Sequence, residues 1–152
     1  MNRELCDLAA ALDLDAPANE PLRMRFGLAC VRRVAHLLED ARALAGLEQF
    51  GQYVAGEIVS IEGAAATLAQ VARSHKGSGS IDGASHAAVS ATYALANAMA
   101  GRSLQAASYC AYATVYAYGA YAISDPASFE PELRWQLCEL ERLARTSNRP
   151  AA

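Results

Sequence analysis

Side chains able to do chemistry are few in this 152-residue chain, and their spacing is uninviting. His36 and Glu39 stand three apart, a separation that lets both touch one metal ion from a single helix. Metal sites in helical bundles use the order Glu-x-x-His twice, with further carboxylates projecting inward; here the order is reversed and occurs once. A solvated helix face is the better reading. Gly77, Gly79 and Gly83 approximate a dinucleotide-binding loop, but the third glycine comes one residue late and the preceding segment reads as helix where a strand is required. No Gly-x-Ser-x-Gly elbow, His-Glu-x-x-His or Walker pattern occurs. Cys110 and the scattered His36, His75 and His86 would need tertiary proximity to make a nucleophile pair. The expectation is a protein that is not an enzyme and holds neither cofactor nor metal. Cys6, Cys30, Cys110 and Cys138 show no CxxC pairing and read as reduced, mostly buried thiols.

The remaining group with chemical character is a run of tyrosines. Tyr109, Tyr112 and Tyr116 follow helical spacing, while Tyr118 and Tyr121 fall on nearly the opposite face. A helix packed on both sides would use them as core fillers whose hydroxyls reach polar partners, in preference to lining a ligand pocket. On that reading truncating Tyr112 or Tyr116 to Ala costs about 3–5 kcal/mol. His86, on the preceding Ala-rich segment, reads as a packing residue that satisfies one of those hydroxyls.

The elements that must position these residues are helical. The chain holds 35 Ala and is 53% apolar and 19% charged, a composition that favours helix and is too apolar for disorder. The expected fold is all-α: one domain, residues 1–145, of six to seven helices around two Ala/Tyr-rich central helices, with 146–152 a frayed tail. Asn2 caps a helix reaching about Leu14. Asn19, with Pro21, starts a second helix predicted to run to about Leu44 with Phe26, Cys30, Val34, Leu38 and Leu44 on its apolar side. Gly46 breaks it, and a third helix follows over 47–55. Ser60 precedes a fourth at 61–74, then a Gly/Ser-rich loop. Between 83 and 124 the only charge is Arg102, so helices over 83–100 and 103–123 form the buried centre. Pro131 opens the last helix, to about Arg145, with Leu133, Leu137, Leu140 and Ala144 inward and Trp135 at an edge.

Charge and hydropathy narrow the partners. A net charge of −3 offers no basic patch for a row of phosphates, which excludes nucleic acid as an expected partner. Residues 103–124 are long enough to cross a bilayer and uncharged, but five tyrosines spread through them argue against a membrane span. The charged start, with Arg3, Glu4 and Asp7, lacks the apolar core of a signal peptide, so a cytoplasmic location is expected.

Several segments, in order, resemble the small Ala-rich helical immunity proteins of bacterial polymorphic toxin systems, in particular immunity family five. They are the helix from Cys30 to Glu39, the turn Gly56-Glu57-Ile58 with Ser60 and Glu62, the Ala/His/Tyr-rich pair containing His86, Tyr93, Tyr109, Tyr112 and Tyr116, and the closing Trp135-Gln136-Leu137 with Glu139 and Leu140. The similarity covers roughly residues 22–143. It departs after the turn, where Gly63-Ala64-Ala65-Ala66 stands in place of an Ala-Arg continuation. The resemblance implies a cytoplasmic protein that binds and neutralises a cognate bacterial toxin by occlusion, without catalysis. Glu57, Glu62, His75, Lys76 and Asp82, around the exposed turn and the small-residue loop, are the expected partner-binding residues. The competing class is an oligomeric or small-ligand-binding helical scaffold or regulatory domain, favoured if the tyrosine helices are exposed and pair between chains.

Overall fold

The computed structural model describes residues 2–74 and 84–147. It is an all-α bundle of seven helices, with no strand among the described residues: α1 (Arg3–Ala11), α2 (Glu20–Val34), α3 (Ala41–Val54), α4 (Glu62–Ser74), α5 (Ala84–Met99), α6 (Ser103–Tyr118) and α7 (Glu130–Ser147). Among the described residues no helix is long and apolar enough to cross a membrane.

The two Ala-rich helices, α5 and α6, pack on each other more extensively than any other pair, and α2 lies against both. Their inner stripes are small. Ala87, Ala91, Ala94 and Ala98 on α5 and Ala106, Ala107, Cys110 and Ala113 on α6 are buried, which lets the backbones approach closely. Larger core residues surround these stripes: Phe26, Val31 and Val34 from α2, Phe50 from α3, Leu68 from α4 and Leu140 from α7, with Leu95 and Met99 from α5 itself.

Local chemistry sets most helix ends. The Asn2 side chain accepts from Leu5 N (3.3 Å) and so caps α1, while its amide donates to Leu133 O (3.0 Å) and ties that end to α7. Asn19 does not cap α2. Its amide turns back to Leu12 O and Asp13 O, bracing a turn in which Asp13 takes a left-handed φ of 49°. Ser60 accepts from Glu62 N (3.3 Å) at the start of α4, as expected of a cap.

Several boundaries differ from the sequence expectation. The predicted helix over 20–44 stops at Val34, because Leu38 is extended and Asp40 begins a new helix by accepting from Arg42 N (2.8 Å). Leu44 consequently lies on the solvent side of α3 and is exposed, outside the core stripe assigned to it. Gly46 is no breaker: it sits inside α3, where a Cβ would clash with Leu68 Cδ2. The missing side chain is what lets α3 and α4 approach. Gly46→Ala is therefore expected to destabilise by about 1 kcal/mol, since forcing a methyl against a buried Leu outweighs the better helix propensity of Ala. Gly63→Ala, with nothing near its Cβ position, is expected to stabilise by about 0.5–1 kcal/mol. Urea denaturation of both variants checks this; a more stable Gly46→Ala protein would contradict the close approach.

The helix predicted over 103–123 ends at Tyr118, where Gly119 takes a φ of 125° and the chain continues as 3-10 turns. Helix α7 runs two residues past its predicted end. Thr146 and Ser147 both return hydroxyl hydrogen bonds to Leu143 O, and Arg25 reaches the Ser147 hydroxyl (3.1 Å), so the start of the predicted tail is held to α2.

Candidate partner-binding face

Helices α5 and α6 form an antiparallel hairpin that turns at Gly101. His86 near the start of α5 stacks on Tyr116 near the end of α6 (5.0 Å between ring centres), and Tyr93 stacks on Tyr109 (5.2 Å). Tyr109, Tyr112 and Tyr116 occupy one stripe of α6, and Tyr112 extends the row: it lies 6.4 Å from Tyr116 and meets Phe129 edge-on at 5.4 Å. The result is an aromatic ladder on the outer side of the hairpin.

This corrects the reading of the tyrosines as core fillers. Tyr112 is 43% exposed, Tyr109 is also exposed, and Tyr118 and Tyr121 more so, at 61% and 80%. Absence of charge in α6 does not amount to burial on all sides: its buried stripe is chiefly alanine, with Cys110 and Val115, and the aromatic rings stand on the other. His86 likewise stacks on a ring, and among the described residues it makes no hydrogen bond to a hydroxyl.

The ladder is bordered at both ends by concave surface. Beside Tyr116 and Tyr118 lies a groove of about 390 Å³ with His36, Glu39 and Leu37 on its far side. His36 and Glu39 do not share a helix, since α2 has ended before them: His36 is in a 3-10 turn and Glu39 in the following loop. Among the described residues no group of three or more His, Cys, Asp or Glu comes together as a metal site would need. Beside Tyr112 and Phe129 lies a cavity of about 310 Å³ that reaches α1 and α7.

Behind the ladder a polar node joins α2, α6 and α7. Glu132 is 2% exposed; its Oε2 accepts from Arg33 Nε (2.9 Å) and Nη2 (2.8 Å), and its Oε1 from Gln136 Nε2 (3.4 Å). Gln136 also donates to Ala107 O (2.8 Å), and the Arg33 guanidinium lies 4.1 Å from the Trp135 ring. Nothing local in the sequence marks Glu132 as buried, because its partner is 99 residues away. Cys30 and Cys110 are buried near this node. Burial, above all, raises both thiols well above the ordinary range, with the Glu132 charge adding to it and Arg33 opposing. Held so, both thiols stay in the protonated, unreactive form at neutral pH.

No family model, curated protein or solved structure matches the chain.

Of the partner-binding residues expected from sequence, the structure describes Glu57 and Glu62. Glu57 is exposed in the turn after α3, held by a hydrogen bond from its N to Gln52 O (2.9 Å) beside Gly56 (φ 78°). Glu62 is exposed at the first residue of α4 and lines a groove of about 380 Å³ with Glu20, Arg23 and Tyr53. A neighbouring groove of about 730 Å³ shares Glu20, Tyr53 and Val59, the last projecting almost wholly into solvent, and Glu57 lines neither groove. His75, Lys76 and Asp82 lie outside the described residues.

Proposed function

We propose that this chain is an immunity protein: it binds a cognate bacterial toxin and neutralises it by covering its active surface, with no chemistry of its own. The ordered resemblance over residues 22–143 suggests the class. The observation that carries a binding role is the exposed aromatic ladder. Tyrosine is enriched where proteins meet, because its ring supplies a large contact area with few rotatable bonds. Here the rings already stack on one another, so little side-chain freedom is left to lose on association. The groove beside Tyr116 and Tyr118 adds shape that a partner's protruding side chain fills. Glu57 and Glu62 enter this reading as exposed charges that speed encounter with a basic surface.

The test is made in cells, by co-expressing the protein with the toxin domain encoded beside its gene and counting survivors. Rescue, kept when Cys110 is replaced by Ala and accompanied by a co-purifying complex, is expected. Absence of both rescue and complex would overturn the reading.

A second reading has its own support. Tyr118 and Tyr121 are more exposed than isolated surface tyrosines need be, and a face of this kind also serves for pairing with a second copy of the chain. Light scattering across a concentration series separates the two: a dimer dispersed by Tyr118→Asp favours an oligomeric scaffold, and a monomer throughout favours the heterologous partner.

A further inference from the structure

The cavity beside Tyr112 holds a feature that a partner-binding role does not use. Gln136 lines it and is 1% exposed. Its amide nitrogen is directed at two acceptors, Ala107 O and Glu132 Oε1, which fixes the orientation of the amide group. The carbonyl oxygen is thereby left over, and among the described residues no hydrogen bond reaches it. Among the described residues Ser103 Oγ alone is a sealed-in side-chain atom without a partner, so the Gln136 oxygen keeps access to the cavity, where a ligand bearing one donor would take the place of water.

The rest of the cavity defines the ligand's body. Leu5, Leu104 and Ile123 contribute aliphatic wall, and Tyr112 and Phe129, meeting edge-on, contribute aromatic wall. Among the described residues no charged side chain lines it. Asn2, at the rim, already has its carbonyl bonded to Leu5 N and its amide to Leu133 O. At about 310 Å³ the space is at the small end of the range for ligand pockets. The geometry points to a binding site for a small, uncharged aromatic molecule carrying a single N–H or O–H donor, seated between α1, α6 and α7 with its donor on Gln136 Oε1. The site is independent of whether the protein binds a toxin.

Indole is a suitable probe, and indene is its near-isostere without the N–H. Titration of the full chain with each, followed by amide chemical-shift changes, is expected to show saturable indole binding below about 1 mM. Indene should bind about tenfold more weakly for want of the hydrogen bond. Ser108→Phe, which fills the cavity from its half-buried rim, should abolish indole binding while the melting curve stays cooperative; Ile123→Trp serves the same end from the 3-10 segment. No saturable indole binding would overturn the site. Equal affinity for indene would overturn the role of Gln136, and binding that survives both plugging variants would place the ligand elsewhere.

Discussion

Truncating Phe26 to Ala is expected to remove about 3–5 kcal/mol of stability, a large share of the roughly 5–15 kcal/mol that holds a domain of this kind folded. Phe26 is fully buried on α2, the helix that touches α3, α5, α6 and α7, so the void it leaves has rigid walls on several sides. The alanines of the hairpin cannot collapse into it, because they are already at backbone contact distance. Tyr118→Ala should cost less than about 1 kcal/mol, since that ring already stands mostly in water. Tyr112 falls between, losing its contacts with Tyr116 and Phe129 but leaving no closed void. Urea denaturation of the three variants checks the order. A Tyr112→Ala loss as large as that of Phe26→Ala would restore the tyrosines to the core.

The second large effect is an asymmetry at the polar node. Arg33→Met is expected to cost about 3 kcal/mol, because it strands the Glu132 carboxylate in a site 2% exposed with only the Gln136 amide for company. Glu132→Gln should cost nearer 1 kcal/mol. The Arg33 side chain is 40% exposed, so water reaches its guanidinium when the carboxylate is gone, and Trp135 still lies beneath it. Replacing both partners with apolar residues, as Arg33→Met with Glu132→Leu, should recover most of the loss, since no buried charge then remains. Equal losses for the two single variants, or a double variant weaker than Arg33→Met, would show that the pair is not the buried link between α2 and α7.

The helical class and much of the element order were legible because they depend on neighbours in the chain. Asn2 and Ser60 declare their caps locally, and the inward stripe of Phe26, Cys30, Val34 and Leu38 is visible as periodicity. Gly46 misled for a physical reason: a glycine inside a helix looks like a break until the facing Leu68, 22 residues on, is known to need the space. The break at 35–40 was hidden because Asp40 is a cap only once Leu38 has left the helix. The candidate face was half legible. Stripe spacing put Tyr109, Tyr112 and Tyr116 on one side of α6, but which side faces solvent depends on how α2 and α5 cover the alanine stripe. The node at Glu132 and the stacking of α5 rings on α6 rings arise only when the chain folds back on itself.

The most direct test of the binding role is the affinity of the purified protein for the toxin domain encoded beside its gene, measured for the native chain and for Tyr109→Ala combined with Tyr112→Ala, two exposed rings of the ladder. Neither ring closes a void, so the variant should keep a cooperative melt lowered by several degrees at most, on the order of 2–4 °C per kcal/mol for a chain of this size. The aromatic face predicts a loss of affinity of at least about a hundredfold, the consequence of removing two interface anchors. An unchanged dissociation constant with the fold intact would contradict it.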